Sequence, residues 1–330
     1  MCEKSAGSGF ERVAQRLAAA GKLLFVTHAR PDGDCLGSLV AMTLAARGAG
    51  KGAEMLVPDA VPMRYQFLFA RRLPASTDRF AALADAADLV VILDTSVFAQ
   101  LDGLEQAITA RQDKVVVIDH HATAGQIGSA MWNDSTAAAA GILMKEMIDH
   151  LGWPLDGETA EALMTAITSD TGWFHFSNTD GRCLRTAADL LDAGVRTDLL
   201  NHKLFQCDRP ERLKLMVRML ESLELHAAGR LAVMEIRKAD FAATGAMPEE
   251  TENLINEPLR LGSVEAVILL TESDALVRVS LRSRDVLDVS QIAKGFGGGG
   301  HKRAAGLRST EPIEVIKPRL IAACLAALDA

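Results

Sequence analysis

Residues 22–38 read KLLFVTHARPDGDCLGS, and the fold follows from how that stretch changes character. Residues 22–28 are a short apolar run bounded by Gly21 and by the turn residues Arg30, Pro31, Asp32 and Gly33. The run predicts a buried strand whose C-terminal end opens into a loop. From Asp34 the apolar residues recur at helical spacing until Gly48, which predicts a helix and its stop. The same unit repeats downstream. Residues 53–57, 88–93 (DLVVIL) and 114–118 (KVVVI) read as further buried strands, and alanine-rich helices are expected over 135–151 and 156–168. Strands alternating with helices imply a mostly parallel sheet covered on both faces.

The pattern changes after a connecting helical segment that starts at residue 183. The segment runs to about residue 221, followed by strands over 230–236, 264–271 and 275–281 and a closing helix over 315–328. The expected fold class is α/β: an N-terminal domain (1–185) with a mostly parallel sheet and helices on both faces, a helical connector (186–222), and a smaller α/β C-terminal domain (223–330). A chain of 330 residues suits two domains. With 49% hydrophobic and 24% charged residues, disordered and fibrous classes are excluded.

A net charge of −8 argues against a broad basic face for long nucleic acid, but leaves room for a small anionic substrate in a local pocket. Eleven Phe, three Trp and one Tyr are too few for a long single-strand stacking platform. The five cysteines are odd in number, widely spaced and without a C-x-x-C pair, so neither a disulfide framework nor a zinc knuckle is indicated. Glu11, Arg12, Arg16 and Lys22 interrupt any signal-like apolar stretch, and no run of about 18 apolar residues exists. The cytoplasm, with no membrane contact, is the expected compartment.

Three of the expected strands end in acidic or imidazole groups. The first gives His28-x-x-x-Asp32-x-Asp34, the next Asp94, the third Asp119-His120-His121, and the helix over 156–168 delivers Ser169-Asp170. In an open α/β sheet the carboxyl ends of the strands form the binding crevice, so these groups should converge. Crowded carboxylates repel by several kcal/mol or take up protons. Divalent cations resolve the conflict, and a mixture of imidazole and carboxylate suits Mn²⁺ among the common metals. Each piece alone has a structural reading: P-D-G-D as a turn with Asp34 as a helix cap, Asp94 as a turn residue, a histidine as a hydrogen-bonded core group. Their joint occurrence at element ends is what those readings explain badly.

The series THARPDGDCLGS, VVILDTS, VVVIDHH and AITSDTGWF resembles the four motifs of the DHH phosphoesterase superfamily, and GFGGGGHKRAAG resembles the signature of its DHH-associated second domain. The motifs run from His28 to Gly306, and the glycine signature is similar to that of the nanoRNase/pAp phosphatase group. The resemblance implies two Mn²⁺ ions, one held by His28, Asp32 and Asp94 and the other by Asp34, Asp94, His120 and Asp170, with Asp94 as the bridge. It further implies that His121 binds the reacting phosphate and helps protonate the leaving oxygen, while Asp119 orients a neighbouring ligand.

In the second domain, Gly297–Gly300 would let backbone N–H groups approach a phosphate, with Gly298, Gly299, Gly300, His301 and Arg282 as substrate-binding candidates. Thr136–Ala140 is expected to serve close helix packing only, and Cys35 to be a small packed residue. The implied activity is Mn²⁺-dependent hydrolysis of short RNA oligonucleotides or dinucleotides to nucleoside 5′-monophosphates, with pAp as a further substrate. Long duplex is not expected as a substrate, and a homodimer is compatible with the sequence. Cyclic dinucleotides or their linear products, inorganic pyrophosphate, and a non-catalytic nucleotide-binding regulator are the competing readings.

Overall fold

Apolar runs too short to be helices and flanked by turn residues build the first sheet. The computed structural model describes residues 3–70, 73–122, 125–284 and 287–329, and divides the chain between Cys207 and Asp208 into two units. The first unit runs α1 (Glu3–Ala19), β1 (Lys22–Val26), α2 (Gly33–Gly48), β2 (Gly52–Leu56), α3 (Phe80–Ala86), β3 (Leu89–Leu93), α4 (Glu105–Thr109), β4 (Val115–Asp119), β5 (Ala130–Asn133), α5 (Ala140–Leu151), α6 (Gly157–Asp170), α7 (Gly181–Asp192) and α8 (Thr197–Phe205). The strands lie in the order β2-β1-β3-β4-β5, every pair parallel.

Alternate strand residues enter two separate cores. Leu23, Phe25, Leu89, Val91, Val116 and Ile118 pack with α1, α2, α5 and α6. Leu24, Val26, Val90, Ile92, Val115 and Val117 pack with Phe80 and Ala84 of α3 and Ile108 of α4. Burial on both faces is why these runs carry no polar alternation. Strand order reverses at β1, which lies between β2 and β3, so the carboxyl ends of β1, β3 and β4 flank the switch point where α/β sheets bind ligands.

On the α2 side, helices approach closely through glycine. A Cβ on Gly37 would stand 2.3 Å from the Ala162 carbonyl oxygen of α6, and one on Gly141 of α5 would stand 2.6 Å from Ala166 Cβ. Helix α6, which ends in Asp170, is thereby held tightly against the helix that begins beside Asp32 and Asp34.

The second unit runs α9 (Pro210–Glu221), β6 (Glu224–His226), β7 (Leu231–Ile236), α10 (Lys238–Thr244), β8 (Ala266–Glu272), β9 (Val277–Ser283), α11 (Val289–Gly295), β10 (Gly299–His301), β11 (Ala304–Ser309) and α12 (Ile313–Leu328). Its sheet has the order β10-β11-β9-β8-β7-β6, with β7/β8 the parallel pair. One face packs on α11 and α12 through Leu231, Val233, Ile268, Leu270, Val279, Leu281 and Leu307. The other is covered at β7 and β8, where Ala232, Met234, Val267 and Leu269 meet Leu215 and Met219 of α9.

Two expectations change. The helix expected over 135–151 begins only at Ala140, and a short strand, β5, precedes it. The glycine run that composition presents as a loop contributes strand β10, paired to β11. The expected connector (186–222) spans the division between the units: α8 belongs to the first and α9 to the second. Among the described residues no helix is long and apolar enough to cross a membrane.

Candidate metal centre

Parallel strands deliver their last residues to one edge, and three of the four acidic motifs arrive that way. His28 follows β1, Asp94 follows β3, and Asp119 closes β4 with His120 and His121 beyond it. Asp32 caps α2, its Oδ1 accepting the Asp34 and Cys35 N–H groups at 3.1 Å each. Asp170 is the last residue of α6.

Asp94 has φ of +61°, a left-handed conformation that an aspartate adopts at a cost, and such strain concentrates at functional sites. Its carboxylate is almost fully buried between two imidazoles. Oδ2 lies 3.5 Å from His28 Nε2, and Oδ1 lies 3.3 Å from His120 Nε2. His120 Nε2 also stands 3.6 Å from Asp34 Oδ2 and 3.4 Å from Asp170 Oδ2. The donor atoms thus form three overlapping groups that could hold cations: His28, Asp32, Cys35 and Asp94; Asp94, His120 and His121; and Asp34, His120 and Asp170. Cys35, expected only to pack, brings its thiol within reach of the first group.

The ring tautomers test whether cations fit. His28 Nδ1 is 2.9 Å from the Ala29 carbonyl oxygen and His120 Nδ1 is 3.1 Å from that of Ala137. A carbonyl only accepts, so Nδ1 carries the proton and Nε2 of the neutral ring turns a lone pair toward the carboxylates. His120 Nε2 and Asp94 Oδ1 are buried and lack a hydrogen-bond partner. Lone pairs facing carboxylates are stable only with a positive charge between them, so this donor set fits divalent metal.

Electrostatics agree. Burial, reinforced by Asp94, raises the carboxyls of Asp32 and Asp34 above the ordinary range, and burial with Asp34 and Asp32 nearby raises Asp170. Burial alone would raise Asp94 too, but without metal the His120 and His28 rings beside it take up protons, and their charge holds it below the usual range. Burial disfavours charge on His120, yet Asp94 and Asp34 push the ring up to about 11. Protons fill these positions when metal does not.

His121 is held differently. Its Nδ1–H donates to Asp119 Oδ1 at 2.8 Å, its backbone N–H donates to the same oxygen at 3.1 Å, and Nδ1 is 3.7 Å from Asp94 Oδ1. Asp119 is fully buried, and its hydrogen bond is the main reason the His121 pKa is raised. Asp119 therefore orients His121 and leaves Nε2 as the ring's proton-exchanging atom.

The alanine stretch 136–140 does more than pack. Ala140 and Gly141 N–H groups, at the start of α5, donate to Asp34 Oδ2 at 2.6 Å and Oδ1 at 2.9 Å. The Ala137 carbonyl orients His120, and the Ala138 carbonyl accepts from Asn178 Nδ2, which also bonds the Asp170 carbonyl. These roles belong to the backbone, and no polar side chain in the stretch announces them.

In the second unit, Arg282 of β9 pairs with Ala304 of β11, which pairs with His301 of β10. Directly opposed residues share a face, so Arg282 and His301 project together across a small alanine. Arg282 makes a 3.3 Å contact to the Leu281 carbonyl oxygen, and burial lowers its pKa. Gly298 and Gly300 have a structural reason of their own: a Cβ would stand 2.3 Å from the Gly306 carbonyl oxygen and 2.5 Å from that of Ala304, while Gly299 meets nothing.

Residues 22–167 match the DHH family N-terminal domain, and residues 229–329 match the DHHA1 domain. The chain is 33% identical to the bifunctional oligoribonuclease and PAP phosphatase NrnA of Thermus thermophilus over 88% of its own length and 84% of that protein. It is 25% identical to the protein of the same name from Bacillus subtilis, covering 84% of this chain and 86% of that one. In fold it resembles an exopolyphosphatase-related protein from Bacteroides fragilis, with a TM-score of 0.91 at 22% identity over 98% and 96% of the two chains. With both domains matched and a relative aligned along most of both sequences, the chain belongs to the DHH phosphoesterase family, in the branch that carries a DHHA1 domain.

Proposed function

We propose that the protein hydrolyses short oligoribonucleotides and dinucleotides to nucleoside 5′-monophosphates, and removes the 3′-phosphate of pAp at the same centre, with two Mn²⁺ ions as cofactors. The observation that carries this reading is the position of Asp94, whose two oxygens face His28 on one side and His120 on the other. The names of the relatives from Thermus thermophilus and Bacillus subtilis support the substrate class.

His28, Asp32 and Asp94 would hold one ion, and Asp34, Asp94, His120 and Asp170 the other. When bound, divalent cations here supply a nucleophile from water at neutral pH and neutralise phosphate charge. The α5 amides fix Asp34, and the Ala29 and Ala137 carbonyls fix the two imidazoles. His121, held by Asp119, gives its Nε2 proton to the leaving oxygen. Arg282, His301 and the backbone at Gly298, Gly299 and Gly300 take an anionic group of the substrate.

The test is product analysis by chromatography in Mn²⁺ on a dinucleotide, pAp, a cyclic dinucleotide and inorganic pyrophosphate. The expected result is nucleoside 5′-monophosphate from the dinucleotide and AMP from pAp. Turnover confined to pyrophosphate or to the cyclic dinucleotide, or no turnover at all, contradicts the proposal.

A further inference from the structure

The sheet face that carries Arg282 and His301 continues along the strands. Side chains two residues apart share a face, so Arg278, Ser280 and Arg282 of β9 lie in one row. Their partners on β11 are Arg308, Gly306 and Ala304, and Gly299 and His301 of β10 pair with Gly306 and Ala304. At β7 and β8 the same face is apolar and covered by α9, whereas Arg278 and Arg308 are exposed. Between the basic row at Arg282 and His301 and the one at Arg278 and Arg308, the floor is Ser280, Gly306 and Gly299, residues with almost no side chain.

Arg278 and Arg308 are directly opposed. Like charges at directly opposed positions destabilise a sheet. Arg278 donates to Thr251 Oγ1 at 2.6 Å, which orients its guanidinium. Its pKa is lowered by burial and by Arg308, with Glu252 acting in the opposite sense. Arg278 is covered on one side by Thr251 and keeps exposed surface on the other, and a repulsive pair there, beside small residues, is explained by an anion that the two arginines share.

We propose that Arg278 and Arg308 form a second phosphate subsite on the DHHA1 sheet, used by oligonucleotides that extend beyond a dinucleotide. Four residues along β9 separate Arg278 from Arg282 by about 13 Å of backbone, room for a second phosphate beside one held at Arg282 and His301. The inference rests on the oligonucleotide reading above and specifies which substrates gain from this face.

Kinetics of the full-length enzyme in Mn²⁺ on the dinucleotide ApA and on pApApA test it, with Arg308→Gln and Arg278→Gln as variants and Arg308→Lys as the charge-retaining comparison. The expected result is that the ratio of kcat/KM for pApApA to that for ApA falls about tenfold in either Gln variant and is largely restored by Lys at 308. The salt dependence of log KM for pApApA should become shallower by about one unit per arginine removed. Because Arg308→Gln also removes a repulsion, its melting temperature should not drop. A ratio within twofold of wild type in both variants overturns the subsite, as does an equal loss on both substrates. Wild-type enzyme inert on both substrates would instead overturn the oligonucleotide reading itself, so the two failures are distinguishable.

Discussion

At the scale of single residues, the division of labour between the two adjacent histidines is set by their partners. His120 meets a carbonyl through Nδ1 and three carboxylates through Nε2, whereas His121 meets the Asp119 carboxylate through Nδ1. Asp119 raises the His121 pKa. A general acid must be protonated, so activity falls as pH rises through that pKa, and the raised value extends activity toward higher pH. Asp119→Asn removes the charge, so the alkaline limb of the pH–kcat profile should move to lower pH while bound metal stays constant. An unmoved limb would show that His121 is not the acid. The ligand candidates were legible in the sequence because each follows an apolar strand or ends a helix. The amides that hold Asp34 were not, since Ala140 and Gly141 act through backbone groups that every residue has. Cys35 is packed as expected, fully buried in the first core, and the direction of its thiol toward His28, Asp32 and Asp94 is what sequence does not give.

At the scale of elements, two contacts fix the helices that carry the ligands. Gly37 lets α2 approach α6 so closely that an added Cβ would overlap the Ala162 carbonyl. Helix propensity alone favours Gly37→Ala by about 1 kcal/mol, but the overlap costs about 1–3 kcal/mol and must be relieved by separating α2 from α6. The variant should melt lower than wild type and bind metal more weakly, because Asp34 and Asp170 sit on the separated helices. A higher melting temperature would contradict the close-packing account. Arg182 of α7 bonds Glu146 of α5 at 2.7 Å through two nitrogens and Asp134, just after β5, at 2.7 Å.

These groups are a quarter to two-fifths exposed, so screening leaves about 1–2 kcal/mol for Arg182→Ala, or a few degrees of melting temperature. Burial would raise the Asp134 pKa, but Thr136 and Arg182 hold it below the ordinary value. Its stabilisation is therefore full above the unfolded pKa of about 3.9 and lost as pH falls through the lower folded value. The gap between Arg182→Ala and wild type should persist at pH 7 and shrink below about pH 4, as thermal melts across pH would show. Strand β5 and the hairpin of β10 and β11 were missed from sequence because AMWN is only four residues long and glycine carries no strand preference.

At the scale of the whole molecule, charge and composition bound the substrate. A net charge of −8 with few aromatics offers no long basic track and no stacking platform. Four basic side chains, Arg278, Arg282, Arg308 and His301, share one sheet face of the second unit. Catalytic efficiency on RNA should decline once an oligomer exceeds a few nucleotides, and duplex should be nearly inert, which kcat/KM over a length series at fixed salt will show. Rates that rise with length would favour a processive enzyme. The chain divides between α8 and α9, which join different cores, and the helical pattern of 186–222 carries no mark of where that division falls.

The central claim is that Asp94 is shared between two cation positions, and metal content measures it most directly. Chelator-stripped enzyme reloaded with Mn²⁺, desalted and assayed by mass spectrometry should retain two ions per chain. Asp94→Ala, checked for folding by circular dichroism, should retain fewer than one, because a ligand to both positions is gone. Two ions retained by folded Asp94→Ala, or a single ion in the wild type, would contradict the account.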